Sequence, residues 1–222
     1  YELAVIIEHG LKEMYKDKRN YFYYLTVTNE RYVQPPKPKG KDVDNNIIKG
    51  MHRISKTKKP QIRLLGSGAI LNESIKAAEI LSGFGIESEV WSVSSFNMLR
   101  KDGMEVENEN IKNASNKAKE SFVAKSFSEH DIPTVASTDY MRAYSEQIRP
   151  YINSPYYTLG TDGFGRSDSR AKLREFFEVD AKSIVMTAAY ALYKEDQLNK
   201  KELQKIYKEI KVNKNKISPW NT

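Results

Sequence analysis

The stretch from Tyr157 to Phe177 holds residue types that could bind an anion or a partner's carboxylate. Its beginning is typical of a strand end, and its last part places apolar side chains on one face of a helix. Between them lie the glycines and charges Gly160, Asp162, Gly163, Gly165, Arg166, Asp168 and Arg170. Glycines at this density allow backbone conformations closed to other residues. A strand, a glycine-rich loop and a helix N-terminus can hold an anion, but from spacing alone a tight connection whose charges pair with each other is the favoured interpretation.

A second polar loop follows the predicted strand 133–138. Asp139 and Tyr140 stand at the C-terminal end of that strand, and Asp162 follows the next strand. Open α/β sheets usually bind ligands at this edge, so the two loops are expected to converge there. The positive charge of such a site could come from Arg142, Arg149, Arg166 and Arg170. The alternative is an interface or a network of loop contacts that are satisfied by each other.

A dinucleotide site is indicated only weakly. Residues 66–68 read Gly-Ser-Gly after a predicted strand, like the start of a dinucleotide fingerprint. Leu71 stands where the third glycine is needed, so the fingerprint is incomplete. Glu87 and Glu89 lie near the distance of a ribose-binding acid, but this spacing alone is unspecific. A plain strand-to-helix turn is the favoured interpretation.

Other catalytic patterns are missing from the sequence. His9, His52 and His130 are scattered, and none has a metal-ligand partner at i+3 or i+4, so each is interpreted as a surface or core residue. There is no serine elbow and no P-loop. The Gly-Asp-Gly signature that precedes paired asparagines in thiamine diphosphate sites is also absent.

Composition narrows the function classes further. The 222 residues include no cysteine, which excludes disulfides and zinc–thiolate sites and suits a cytosolic protein. The net charge is +7, but the lysines are dispersed and no nucleic-acid-binding signature accompanies them. No run approaches the roughly 18 apolar residues needed to span a bilayer, and no signal peptide is visible. We expect a cytoplasmic protein without nucleic-acid or membrane partners.

The hydrophobic patterns predict alternating strands and helices. Residues 2–15 are expected to form a helix and residues 21–28 a buried strand, an incomplete pair that indicates a piece of a longer polypeptide. Further helices are predicted at 43–53, 70–82, 141–149, 169–177, 180–194 and 200–210. Further strands are predicted at 61–68, 87–93, 133–138 and 156–159. Residues 95–128 are expected to be mostly helical with a poorly ordered middle at 105–119, and Trp220 could pin the C-terminus to the body. This order implies a mostly parallel sheet covered on both faces.

Two long stretches of the sequence resemble a known enzyme family. STDYMRAYSEQIRPYI and YYTLGTDGFGRSDSRAKLREFFEVD are closely similar to the C-terminal region of homodimeric bacterial pyruvate dehydrogenases, the decarboxylating components of that complex. YELAVIIEHGLKEMY, YFYYLTVTNERY, IRLLGSGAIL and SVSSFNMLRKDG are similar to the same family in the same order. The resemblance covers nearly the whole chain and departs from the family pattern at 104–130.

The resemblance implies an α/β fold of the transketolase type. Residues 1–35 would be the end of a pyrimidine-binding middle domain, a helix-strand remnant of it. Residues 36–60 would be a linker. Residues 61–222 would form a three-layer α/β/α transketolase C-terminal-like domain with a mostly parallel sheet.

The resemblance also implies a function for the parent enzyme. Such an enzyme uses thiamine diphosphate and Mg²⁺ to decarboxylate pyruvate and passes the acetyl unit to a lipoyl group of the acyltransferase component, and it works as a homodimer. In this family the cofactor site and the catalytic residues lie upstream of Tyr1. No catalytic, cofactor-binding or metal-binding residue is therefore expected in this chain, and no cofactor is expected to bind to it alone.

What remains for this chain is a supporting role in dimerisation and architecture. The predicted interface or active-site-entrance loop consists of Asp139, Tyr140, Asp162, Gly163, Phe164, Gly165, Arg166, Ser167, Asp168 and Arg170. If Gly165 has a positive φ, Gly165→Ala is expected to cost stability or assembly. The alternatives are a stand-alone α/β module that binds an anionic small ligand, and a basic accessory domain that binds nucleic acid.

Overall fold

The computed structural model describes residues 1–29, 31–114 and 117–221. The strands are β1 Met51–Ser55, β2 Ile62–Ser67, β3 Ser88–Val93, β4 Thr134–Ser137 and β5 Tyr156–Leu159. The α-helices are α1 Glu2–Leu11, α2 Val43–Lys49, α3 Leu71–Gly83, α4 Phe96–Lys112, α5 Phe122–Phe127, α6 Arg142–Glu146, α7 Arg170–Phe177, α8 Ala181–Lys194 and α9 Lys200–Glu209. None of the helices in these three ranges is long and apolar enough to cross a membrane.

The five strands form one sheet in the order β1-β3-β2-β4-β5. Strands β2, β3, β4 and β5 run parallel, and β1 pairs antiparallel with β3 at one edge. The central strand β2 is buried along almost its whole length, as expected for a parallel strand covered by helices on both faces. The mostly parallel sheet predicted from the sequence is confirmed.

Helices cover both faces of the sheet and enclose two apolar cores. Successive residues of a strand point to opposite faces, so Leu64 of β2 enters one core and Leu65 the other. The first core is built with α3, α7, α8 and α9, and the second with α4 and α5. These two cores on either side of one sheet make the three-layer α/β/α arrangement that the sequence predicts.

The strand predicted at 21–28 is wrong. Residues 21–28 adopt no strand, and Phe22 and Tyr24 are 89% and 86% exposed. A strand needs a neighbouring strand to satisfy its backbone hydrogen-bonding groups. The described part of the chain places no strand beside residues 21–28. The preceding helix is confirmed, although after Leu11 it continues as one π-helical turn over Lys12–Lys16.

The helix predicted at 43–53 ends early and a strand follows it. Helix α2 stops at Lys49 because Gly50 adopts a left-handed φ of 114°, a common helix ending. The next residues form β1, which lies inside the predicted linker 36–60 and belongs to the sheet. Its sequence MHRIS lacks an alternating apolar pattern, which explains why it was missed. The division into domains at 35 and 60 stays a prediction.

The polar stretch predicted to be poorly ordered is helical over its first part. Helix α4 continues through residues 105–112 before it ends. In its last turn, Asn110 binds the backbone of Lys119 through two hydrogen bonds of 2.8 and 2.9 Å. An asparagine side chain that satisfies a nearby backbone in this way holds the turn between α4 and α5.

Candidate functional site

The loops after β4 and β5 meet at the carboxyl edge of the sheet. The Thr161 backbone N–H donates to the Tyr140 carbonyl at 2.9 Å, and the Thr161 hydroxyl donates to the Asp139 carbonyl at 2.6 Å. At Gly160 a Cβ atom would lie 2.6 Å from the backbone nitrogen of Arg142, so a side chain does not fit there. The structure therefore brings the two predicted loops into direct contact.

Asp162 is buried, and its carboxylate faces Arg142 of the same chain, with a hydrogen bond to one oxygen and, among the described residues, none to the other. Its Oδ1 accepts the backbone N–H of Arg142 at 3.0 Å, at the start of α6. Its Oδ2 lies 3.1 Å from the Arg142 guanidinium Nε, which is an ion-pair distance. Carboxylates at helix N-termini stabilise the unpaired N–H groups there. Asp162 thus joins β5 to α6, and its charge is matched by an arginine predicted to serve the site.

Asp139 lies between the two loops and two arginines. Desolvation by the surrounding chain raises the pKa of the Asp139 carboxyl, although part of the residue is exposed. Its own backbone N–H and the nearby guanidinium groups of Arg174 and Arg170 act in the opposite direction. The net rise favours the protonated form slightly more than for a free aspartate.

The glycine that needs its conformational freedom is Gly163. Its φ is 95°, and a Cβ atom there would lie 2.8 Å from the Pro219 carbonyl oxygen. Gly165 is not among the glycines with positive φ, and a Cβ atom there would meet open space. The condition attached to Gly165→Ala is therefore not met. Pro219, which is buried, seats the C-terminus on this loop, whereas Trp220 is 65% exposed and does not pin it.

Beyond Gly163 the loop extends into solvent. Phe164 is 82% exposed, and Ser167 is exposed as well. The Arg166 guanidinium lies over the Phe176 ring at 5.4 Å from its centroid. Asp168 accepts the Ser169 backbone N–H at 2.6 Å beside the start of α7. The loop thus has a seated base and a projecting tip whose most prominent group is an apolar ring.

Two of the predicted site residues contact the N-terminal part of the chain. The Tyr140 hydroxyl donates to the Thr26 hydroxyl at 2.7 Å. The Arg170 guanidinium donates to the Asn29 side-chain oxygen at 2.6 Å. These contacts join residues more than a hundred positions apart. They show that the carboxyl edge receives the segment in which a strand was predicted.

A third contact comes from Arg174, which the sequence analysis did not single out. One arm of its guanidinium donates to the Tyr32 hydroxyl at 3.2 Å, and the other to Glu73 of α3 at 3.0 Å. The second oxygen of Glu73 accepts the backbone N–H of Ala181, at the start of α8, at 3.1 Å. The signal in the sequence was spacing, because Arg174 follows Arg170 by one helical turn and lies on the same face of α7.

The remaining predicted positions have structural partners. Arg149 pairs with Glu146 at 2.6 Å and donates to the Tyr156 carbonyl at 2.8 Å. Glu89 is buried and paired with Arg63, so it is not available to a ribose. At Gly66 a Cβ atom would lie 2.5 Å from the Leu71 Cα, so this glycine serves the close packing of α3 on the turn.

The described residues do not fit the Mg²⁺ of the implied cofactor. Within residues 1–29, 31–114 and 117–221 no group of three or more histidines or carboxylates is arranged to hold a metal ion. His52, the most buried histidine, bonds to the Tyr1 hydroxyl at 2.9 Å, and burial lowers its pKa. We therefore derive no chemical step through the cofactor in this chain.

Comparison with known proteins identifies the family. Residues 50–180 match the model of the transketolase-like TK C-terminal domain. The chain belongs to this family. Residues 1–35 match the model of the pyruvate dehydrogenase E1 component middle domain. Together the two matches confirm the resemblance found in the sequence.

The similar curated proteins share one description, pyruvate dehydrogenase E1 component. The protein from Cupriavidus necator is 43% identical over 226 residues, which is all of this chain and 25% of that protein. The one from Pseudomonas aeruginosa is 51% identical over 86% of this chain and 22% of its own length. The one from Escherichia coli K12 is 40% identical over 99% of this chain and 25% of its own length. The chain spans about a quarter of the length of these relatives.

The solved structures found are more distant. A transketolase mutant from Pichia stipitis covers 68% of this chain with 18% identity and a TM-score of 0.48, and the match takes in 19% of that protein. No conclusion is drawn from a likeness at this distance.

Proposed function

We propose that this chain is the C-terminal part of the decarboxylating component of a pyruvate dehydrogenase complex. The parent enzyme would use thiamine diphosphate and Mg²⁺ to decarboxylate pyruvate oxidatively and transfer the acetyl unit to lipoyl groups of the acyltransferase component. The observation that carries the proposal is the 40–51% identity to proteins of that description over 86–100% of this chain. The middle-domain match at residues 1–35 supports it independently.

The N-terminal part of the chain supports a position inside a larger middle domain. Its apolar side chains are open to solvent to an unusual degree, and they include Leu3, Ile7, Leu11, Tyr15, Tyr21, Phe22, Tyr23, Tyr24, Leu25, Val27 and Val33. Contiguous apolar surface of this kind marks a site that another protein surface covers. We propose that the preceding part of the same middle domain covers it.

We propose that the tip of the loop after β5 contributes to the homodimer contact near the active-site entrance. The support is its shape, because Gly163 is seated firmly against Pro219 while Phe164 projects beyond it. An exposed aromatic ring on an anchored loop is the kind of group that fills a pocket on a partner. Three arginines of this edge are already paired with carboxylates: Arg142 with Asp162, Arg149 with Glu146 and Arg174 with Glu73. Less positive charge is therefore available to bind an anionic small ligand.

The chemistry of the parent belongs to groups outside this chain. Within it, the predicted loop residues position backbone and side chains of the domain, and we assign no proton transfer to any of them. We propose that the chain alone binds neither thiamine diphosphate nor Mg²⁺. We also propose, from the composition of the sequence, that the parent enzyme works in the cytoplasm.

Titration calorimetry tests this function. The chain alone and the longer polypeptide that carries it are titrated with thiamine diphosphate and Mg²⁺, and both are assayed for pyruvate decarboxylation. We expect binding and turnover only with the longer polypeptide. Micromolar cofactor binding by the chain alone would favour a stand-alone ligand-binding module, and a longer polypeptide without pyruvate turnover would refute the proposed reaction.

A further inference from the structure

The contacts between the N-terminal segment and the carboxyl edge recur every three residues. Thr26, Asn29 and Tyr32 each bond to a side chain of the carboxyl-edge loops or α7. A strand has a period of two, so it would turn Asn29 away from the face that carries the other two residues. The spacing of these three contacts therefore does not follow the period of a strand.

The partners on the sheet domain differ in how firmly they are held. Tyr140 of the loop after β4 and Arg170, the first residue of α7, are both exposed. The Arg174 side chain is only 16% exposed, and Glu73, whose side chain is 9% exposed, fixes one of its arms. Glu73 in turn is held by the first N–H of α8. A guanidinium that is oriented by a carboxylate in this way loses little freedom when it binds a further acceptor.

We propose that Arg174 fastens the N-terminal segment to the sheet domain, and that Glu73 acts through Arg174 as its positioning residue. The Tyr32 ring lies 5.4 Å from the guanidinium carbon, so a cation–π contact accompanies the hydrogen bond. The proposal rests on the proposed function in one respect, namely that the segment continues a middle domain. It concerns the chain that joins the two domains and requires no particular reaction.

Cleavage by trypsin after Arg31 reports directly on this contact. Arg31 is exposed, but a protease must lift several residues on either side of the cleaved bond into its active site. Cleavage at this bond therefore requires the neighbouring Tyr32 to leave Arg174. When opening is fast relative to cleavage, the rate follows the population of the open segment. The longer polypeptide that carries this chain is used, with native conditions and short digestion times.

We expect Tyr32→Phe and Arg174→Lys each to speed cleavage after Arg31 by about three- to tenfold, the loss of one hydrogen bond. Glu73→Gln should also speed it, although residue 73 does not contact the segment. Because both changes act through the same guanidinium, Glu73→Gln should add little once Tyr32→Phe is present. Arg166→Lys is the matched control, since Arg166 lies over Phe176 and not over the segment.

Two results would overturn the proposal. One is an unchanged cleavage rate in Tyr32→Phe, a variant that keeps the ring and alters no buried charge. The other is an equal effect of Glu73→Gln with and without Tyr32→Phe, which would show that Glu73 acts by general destabilisation. A short peptide covering 27–36, with tyrosine or phenylalanine at 32, corrects for the preference of trypsin itself. Pyruvate turnover of the unaltered polypeptide is measured separately, so failure of the proposed reaction leaves the cleavage result readable.

Discussion

The N-terminal segment (residues 1–29 and 31–33) and the sheet domain (β1–β5 with α2–α9) treat apolar side chains in opposite ways. In the sheet domain, Leu64 and Leu65 are fully buried in the two cores. In the described residues of the N-terminal segment no apolar side chain larger than glycine is buried, and Phe22 is 89% exposed. Both regions have sequences that are typical of buried structure. The sheet domain contains its own apolar partners, whereas we propose that those of the segment lie in the preceding part of the middle domain.

The segment is joined to the sheet domain by the packing of α1 on α2 and by polar contacts. At its start, Glu2 accepts the Ser92 hydroxyl at 2.6 Å and lies beside buried His52. At its end it bonds to Tyr140 and Arg174. Individual hydrogen bonds of this kind contribute about 1 kcal/mol each, far less than an apolar core. We therefore expect the free energy of unfolding of this chain to reside almost entirely in the sheet domain.

The largest effect is expected at the buried pair of Arg63 and Glu89. Burial lowers the pKa of the Arg63 guanidinium, and the Glu89 carboxylate opposes that shift. Removing one partner leaves an uncompensated buried charge, so Glu89→Gln should lower the free energy of unfolding by about 3–5 kcal/mol. Urea denaturation of the chain measures this. The same change at exposed Glu105, which lies 3.8 Å from Lys101, is the control and should have no measurable effect.

A loss close to the control at position 89 would mean that the sheet domain is not the source of stability. Arg63 also donates to the Thr134 hydroxyl and the His130 carbonyl. Those two contacts and the Phe127 ring, 4.0 Å from the guanidinium carbon, would then have to hold the buried charge, which contradicts the cost expected for an unpaired charge.

The next largest effect on stability distinguishes Gly163 from Gly165, two glycines of the loop after β5. Gly163→Ala should lower the free energy of unfolding by about 1–3 kcal/mol, because φ is positive there and the Cβ would meet the Pro219 carbonyl. Gly165→Ala is the matched control and should be neutral or slightly stabilising, since alanine restricts the unfolded chain. Thermal unfolding of both variants measures the two losses of stability. Equal losses would show that the loop tip is as constrained as its base, which contradicts the expectation.

A smaller effect is the pH dependence of stability that His52 causes where the N-terminal segment contacts the sheet domain. Burial lowers the pKa of His52 in the folded chain below its ordinary value of 6.5, and nearby Glu2 partly opposes this. The unfolded state therefore binds more protons, so stability rises with pH and is lost as pH falls below about 6.5. The slope contributed by one histidine cannot exceed about 1.4 kcal/mol per pH unit.

Chemical denaturation at pH 7.5 and 5.5 measures that slope. His52→Gln should reduce the difference between the two values, because glutamine does not titrate. If the stability difference between the two pH values is the same in the variant and in the unaltered chain, groups other than His52 cause the pH dependence.

Sequence patterns predicted the sheet domain well because it is self-contained. The apolar run of β2 and the helical period of α3 reflect contacts made within the chain, and both elements were placed within about two residues. Edge strand β1 is not predicted, because its own residues are mostly polar. It forms a strand through its antiparallel pairing with β3. The strand at 21–28 is predicted from aromatic and β-branched content alone, and the residues that the structure describes place no neighbouring strand beside it.

The candidate site was predicted in position but not in detail. The ends of parallel strands fall at one edge, which placed Asp139, Tyr140 and Asp162 together. The partner of each depends on loop geometry, so neither the Thr26 contact of Tyr140 nor the Arg142 contact of Asp162 could be read from the sequence. Gly163 lies against the distant Pro219, a contact that the sequence does not reveal, so the sequence cannot distinguish the constrained Gly163 from Gly165.

The smallest expected effect on stability tests the difference in burial between the N-terminal segment and the sheet domain. Phe22→Ala should change the free energy of unfolding of this chain by less than about 0.5 kcal/mol, because the ring is already exposed. Phe96→Ala, a change of the same size in the core, should cost about 3–5 kcal/mol. In the longer polypeptide, where we propose that the segment is covered, Phe22→Ala should become clearly destabilising. A large loss in this chain alone would show that residues 21–28 already have a core, and an unchanged longer polypeptide would show that nothing covers them.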